Sequence, residues 1–234
     1  VYSLALQIGY SELKIRKRLR TSPHKLFDSF DQVMDNFRAS YFAGALMLNR
    51  NQVKEELKKI FQSETWNGDA ILELLKHHEV TPETFLHRLS QILPGLFKIT
   101  ELHYFRFEHF VGKNEIRLTK ELNMPRTLVP SGVRLKEHHC CRWLPVSLLK
   151  ILEEEQLKGN PNKILIRTQR AQFVESGDEV LFISIAHALR LRSKMNRCVS
   201  LGLRIDNALK RKVKFLNDPQ IPVEKVNQTC ERCP

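Results

Sequence analysis

Five cysteines stand in this 234-residue sequence. Cys140 and Cys141 are adjacent, within Glu137-His138-His139-Cys140-Cys141-Arg142-Trp143, and Cys230 and Cys233 lie in Asn227-Gln228-Thr229-Cys230-Glu231-Arg232-Cys233-Pro234. A Cys-x-x-Cys puts two thiolates on one turn, able to grip a tetrahedral ion or one face of an iron–sulfur cluster. A third thiolate from a distant loop would then staple the end of the chain to the rest. An odd number of cysteines that includes an adjacent pair does not fit a disulfide framework, so a reducing compartment, with metal or core roles for the thiols, fits better. Cys198, in Arg197-Cys198-Val199-Ser200-Leu201-Gly202, reads as a small core residue on a buried strand.

The second group able to do chemistry is basic. Arg106, Arg167, Arg170, Arg190, Arg192, Lys194 and Arg204 alternate with apolar residues, and a period of two aims several of them at one face of a sheet. Guanidinium forks there would clamp phosphates, with Tyr104, Phe105 and Phe107 as an apolar wall. A solvated sheet face with cross-strand pairs accounts equally well for any single member. The formal net charge of +12 points to an anionic partner: nucleic acid, an anionic membrane face or a polyphosphate-bearing small molecule. His24, His77, His78, His87 and His103 have no metal-ligand spacing with one another and read as surface or helix-terminal residues. Glycine-rich phosphate loops, nucleophile elbows and paired catalytic carboxylates do not stand out.

These residues need elements to hold them. From Phe27 to Leu93 the pattern is helical, and Phe30, Val33, Met34, Phe37, Tyr41, Ala45 and Leu48 fall on one helix face. Shorter helices follow over Val53–Phe61 and Asn67–His77. A further helix opens at Thr81, where a threonine cap, Pro82 and Glu83 suit the free amides and the positive end of the dipole, and closes at Leu93-Pro94-Gly95. Past Gly95 the period changes to two, with strands over Leu102–Phe110, Ile164–Phe173 and Val180–Leu191, a helix over Trp143–Glu155 and a turn at Glu175-Ser176-Gly177-Asp178. Asp206–Phe215 predicts a last, basic helix. The pattern gives an α+β chain of two domains, a helical one over residues 1–96 and a mixed α/β one over 97–234. Apolar runs are too short for a membrane span, and Val1–Ile8 is too short for a signal peptide, so a cytoplasmic location is expected. The opening on Val1 within an apolar run and the ending after a Cys-x-x-Cys suggest a piece of a longer protein.

Asn36-Phe37-Arg38-Ala39-Ser40-Tyr41-Phe42-Ala43-Gly44-Ala45-Leu46-Met47 resembles the helix that follows the zinc-binding helix of ImmA/IrrE-type metallopeptidases. That family has an acidic zinc ligand where this chain has Arg38, whose fixed cation cannot ligate. The sequence also has no His-x-x-x-His. The resemblance implies a helical scaffold without peptidase activity.

The order His-x-Cys-x-x-Trp at His138, Cys140 and Trp143, then a helix, strands and the terminal Cys-x-x-Cys, is similar to the short-chain fatty acyl-CoA regulator family. The resemblance implies a GAF-like sensor domain that binds a short-chain acyl-CoA, joined to a degenerate ImmA/IrrE-like segment. It also implies a homodimer that reaches DNA through a helix-turn-helix domain missing from this chain, with no membrane and no enzymatic activity. By the same resemblance Cys140, Cys230 and Cys233 are ligands of a four-iron–four-sulfur cluster. A fourth family cysteine is expected beyond Cys233, and the glycine–cysteine of the pattern is replaced by Gly202-Leu203. Cys141, His138, His139 or a group outside this sequence would complete the site, and zinc with three cysteines and one histidine is chemically as acceptable as a cluster. The contact residues expected for the acyl-CoA are Tyr104, Arg106, Arg167, Arg170, Arg190, Arg192 and Lys194. The rival functions are an ImmA/IrrE-type zinc metallopeptidase and a direct nucleic-acid-binding module using Lys210, Arg211, Lys212 and Lys214.

Overall fold

The computed structural model describes residues 1–16, 29–124, 137–189, 194–227 and 229–232. Helices α1 (Tyr2–Glu12), α2 (Phe30–Met47), α3 (Arg50–Gln62), α4 (Gly68–His77) and α5 (Pro82–Phe97) come first. Strands β1 (Leu102–Phe110) and β2 (Ile116–Asn123), helix α6 (Leu144–Leu157) and strands β3 (Leu165–Phe173), β4 (Glu179–Ala188) and β5 (Met195–Arg204) follow. Helix α7 (Asn207–Lys212) and strand β6 (Val223–Val226) complete the set, so the fold is α+β. The strands form one sheet in the order β2-β1-β5-β4-β3-β6, antiparallel except for the parallel pair β3–β6.

Caps set the helix starts where small polar residues precede apolar runs. Asn67 accepts from the Ala70 amide, Thr81 from Thr84 and Asp206 from Leu209. Helix α5 runs three residues past Pro94, because a proline in the last turn removes only one amide and the turn closes on Lys98 in the left-handed region.

The sheet divides the interior in two. Leu181, Ile183 and Ile185 of β4 and Val199, Leu201 and Leu203 of β5 pack against Leu57, Phe61, Ile71, Leu75, Leu86 and Leu93 of the helices. The opposite parity, Phe105, Phe107, Phe182 and Ala186, packs against α6 and around the buried Trp143. Strands covered on both faces read as near-continuous apolar runs, which is the pattern of β4. The boundary expected at residue 96 falls inside the first of these cores, which helices α3–α5 share with the sheet.

The aromatic face expected to be the core side of α2 lies largely outward: Phe30, Phe37 and Tyr41 are exposed. The buried side is Ala39 and Ala43, against α1, with Gly44 turned toward Arg88 and Gln91 of α5. A Cβ on Gly9 of α1 would come within 3.0 Å of the Ala39 carbonyl oxygen, so small residues bring these two backbones together. No described helix is long and apolar enough to cross a membrane.

Candidate functional site

On the helix-covered face of the sheet, β1 presents Tyr104, Arg106 and Glu108 in step, and β5 sets Arg197 opposite Glu108. Helix α5 lays Glu83 and His87 over them from its first turns. The register of β1 and β2 shifts between Arg106 and Phe107, so that Leu118 pairs with Phe107 and Lys120 with Arg106. Residue 119 is the extra one. That bulge moves Lys120 onto the helix-covered face, where its ammonium lies 5.5 Å from the centre of the Tyr104 ring. The hydroxyl of Thr119 fills the irregularity, accepting from Arg106 Nε at 2.9 Å and donating to the Arg106 carbonyl oxygen at 3.2 Å.

Glu83 ties the layers together. Its two oxygens accept from Arg106 at 2.9 Å and from Arg197 at 2.7 Å, and Arg197 also donates to Glu108. Burial pushes the Glu83 carboxyl up, but the cations of Arg106, Arg197 and Lys120 outweigh it and hold the group below its ordinary value. Burial depresses Lys120, Glu83 opposes this, and the two arginines add to it. His87 stands edge-on to Tyr104 at 5.4 Å and is held down to about 4, first by burial and then by Lys120, so its imidazole is neutral at pH 7. The Tyr104 hydroxyl and Nε2 of His187 are buried and without a hydrogen-bond partner among the described residues. Three cations (Arg106, Lys120, Arg197) thus meet two carboxylates (Glu83, Glu108), an excess of one positive charge.

Of the residues expected to bind an anionic ligand, Tyr104 and Arg106 belong to this cluster. Arg170 shares their face but sits on β3, three strands or about 14 Å across the sheet and four residues further along than the level of Arg106, where it pairs with Glu179. Arg167 has the opposite parity and is exposed on the α6 side. Lys194 is exposed, in the left-handed region after β4. Arg204 pairs with Glu101 and Asp178. Arg190 and Arg192 lie outside the described residues. Lys120, His187 and Arg197 complete the cluster, with Glu83, read from the sequence only as a first-turn acid, and His87, expected at a surface or helix end but half-buried within α5 against Tyr104; the helix–sheet contact that gathers them is tertiary. The parity of Arg197 with Val199, Leu201 and Leu203 was the available signal.

The other candidate lies beneath α6. Residues 229–232 run back along the segment that precedes Trp143: His139 and Thr229 form a bridge, and the Cys230 amide donates to the His138 carbonyl oxygen at 3.0 Å. The Glu231 carboxylate accepts from the His138 amide and from His138 Nδ1 at 2.7 Å, which holds it near 2. Arg232 pairs with Glu137. This brings Cys230 to the adjacent cysteines. The Cys141 amide approaches the Cys230 sulfur at 3.1 Å. Burial, and then the thiols of Cys141 and Cys140, push the Cys230 thiol up, while that amide opposes them. Cys140 is fully buried beside Trp143, and Nδ1 of the buried His139 has no partner among the described residues. Cys140 and Cys141 thus meet Cys230 from two separate segments, but among the described residues the donor atoms of these cysteines and His139 do not gather closely enough to form a group of three metal donors. Cys233 lies outside the described residues. Cys198 is a core residue of β5, its thiol pushed up by burial.

His103 is buried within β1, hydrogen-bonded to Asn123, and not at a surface or helix end. His77 and His78 do end a helix but are not without a metal-binding neighbour: their ring nitrogens and a Glu56 oxygen lie within 4.8 Å of one another. His24 lies outside the described residues. No family model, curated protein or solved structure matches this chain.

Proposed function

We propose that this chain is the effector-sensing portion of a bacterial transcription regulator that binds a short-chain acyl-CoA. In the same reading Cys140, Cys230 and Cys233 hold a four-iron–four-sulfur cluster or a zinc ion. One observation carries the effector half: the charge cluster under α5 encloses a buried Tyr104 hydroxyl with no partner among the described residues. An unpartnered buried hydroxyl costs about 1–3 kcal/mol, which an acceptor on a bound ligand would relieve. The excess of positive charge suits the phosphates or the carbonyl oxygen of a coenzyme A ester. Glu83 and His87 belong to the helical layer, while Tyr104, Arg106, Lys120 and Arg197 belong to the sheet, so an occupant touches both. A ligand that prefers one placement of these layers shifts their populations toward it. In a homodimer that shift would pass to a helix-turn-helix outside this chain. What supports the metal half is the return of Cys230 to Cys140 and Cys141, since a thiophilic centre there would fasten the C-terminal segment under α6.

The test joins metal content to binding. Anaerobically purified protein is analysed for iron, acid-labile sulfide and zinc, then titrated with a series of short-chain acyl-CoA esters, with free coenzyme A as control. Saturable binding of an ester, weakened in Tyr104→Phe, together with near-stoichiometric iron and sulfide or one zinc lost in Cys230→Ser, is the expected result. Failure of every ester to bind overturns the effector assignment, and metal-free protein overturns the cysteine centre.

A further inference from the structure

Helices α3 and α4 bring together a second set of donors, far in sequence from the cysteines. Glu56 lies in the middle of α3; His77 is the last residue of α4 and His78 its cap. The end of α4 is fixed by two backbone bonds, Glu79 amide to Lys76 carbonyl and Val80 amide to Leu75 carbonyl, with Glu79 in the left-handed region at φ 52°. That closure presents two consecutive imidazoles to α3 from a rigid turn. His78 Nε2 is 2.8 Å from Glu56 Oε2, and the His78 side chain is only 6% exposed. His77 is exposed, and its Nε2 lies 3.1 Å from the side-chain nitrogen of Gln52, one turn before Glu56. An amide nitrogen only donates, so His77 Nε2 accepts from Gln52, whose same nitrogen donates to Glu56 Oε1 at 3.2 Å and so bridges the two ligands.

We infer that Glu56, His77 and His78 form a binding site for a divalent transition-metal ion of the zinc type. Two imidazoles and a carboxylate are a donor set that zinc, cobalt and nickel accept and that calcium and magnesium, which take oxygen, do not. The three ligand atoms lie within 4.8 Å of one another. A tetrahedral ion with bonds of about 2.0–2.1 Å requires separations of about 3.3 Å, which small rotations of these side chains provide. Turning the Gln52 amide about its last bond presents its oxygen as a fourth donor; water serves otherwise. The negative end of the α4 dipole adds attraction for a cation. Such an ion would lock α3 to the end of α4, within the helical layer that covers the sheet. This inference stands apart from the acyl-CoA reading and from the cysteine centre.

The test uses the full chain. Zinc is titrated calorimetrically into metal-depleted wild type, His77→Ala, Glu56→Gln and Cys230→Ser, and cobalt is added in parallel to read the ligand type by absorption. The expected result is one equivalent of zinc that Cys230→Ser retains and that His77→Ala and Glu56→Gln lose or bind at least about tenfold more weakly. In Cys230→Ser, cobalt at that site should give weak visible bands without a sulfur-to-metal charge-transfer band. His77 is exposed, so its removal leaves the fold intact, and far-ultraviolet circular dichroism checks this. Folded His77→Ala and Glu56→Gln that bind zinc with unchanged stoichiometry and affinity overturn the assignment. So does a Cys230→Ser protein that binds no zinc at all.

Discussion

Replacing Tyr104 by phenylalanine removes one oxygen atom and keeps the ring that packs against His87 and under Lys120. That oxygen is fully buried and has no hydrogen-bond partner among the described residues. The folded protein therefore carries its desolvation, a cost of about 1–3 kcal/mol that the unfolded chain, wetted by water, does not bear. Dipolar attraction between the hydroxyl and the nearby Arg106 and Arg197 offsets part of it. The expected gain in the ligand-free protein is then about 1 kcal/mol, or about 2–4 °C in Tm for a chain of this size. Urea and thermal denaturation followed by circular dichroism at pH 7.5 would measure it. The same substitution should weaken binding of a short-chain acyl-CoA about tenfold, since a ligand acceptor loses its donor. A ligand-free Tyr104→Phe protein that melts below wild type would refute the reasoning, because it would mean that the hydroxyl is held by a structural bond.

Three further outcomes are expected. In Gly202→Ala the new Cβ would come 2.6 Å from Cε1 of Phe182, a ring clamped by Phe105, Trp143 and Phe173. Overpacking there should cost about 2–3 kcal/mol, seen as a Tm lower by about 4–12 °C. Glu79→Gly relieves a left-handed backbone at φ 52° and should raise stability by about 0.5–1 kcal/mol in the same assay. The third concerns pH. Burial lowers His87 to about 4 and also lowers His103 and His187, so the unfolded chain takes up their protons first. Their stabilising contribution is complete above about pH 6.5 and drains away as pH falls toward 4. Urea midpoints should decline over that window, and less steeply in His87→Phe; a flat or rising midpoint contradicts the assignment.

Much of the fold is legible because its elements carry local signals. The strand predicted over Leu102–Phe110 is β1 residue for residue, since its alternation matches two differently covered faces. Thr81, Pro82 and Glu83 mark the start of α5 for the same local reason. Strand β2 escapes notice because its eight residues include only three apolar ones, Ile116, Leu118 and Leu122, among charged Arg117, Lys120 and Glu121, and β6 because four residues carry almost no periodicity. The outward aromatics of α2 mislead, since the neighbour that decides its buried face is α1, and small residues give weak hydropathy signals. The site follows the same division. Cys140 and Cys230 are picked out by type and spacing alone, yet no group of three metal donors forms around them among the described residues. Glu83, Lys120 and Arg197 look like surface charges until tertiary packing gathers them, and adjacent histidines such as His77 and His78 gain meaning only when another helix supplies Glu56.

The short β6 and the bulged β2 are also the two margins of the sheet. A strand edge is a template for any other extended chain, and proteins guard such edges by shortening, twisting or charging them. Here β6 offers four residues with Glu224 and Lys225 at its centre, and β2 offers a register break flanked by Arg117, Lys120 and Glu121. The apolar runs of β4 and β5, the segments with the greatest tendency to aggregate, occupy the middle of the sheet behind those margins. Resistance to edge-to-edge aggregation is therefore built into the strand order itself, and it lasts only as long as the outer strands stay in place.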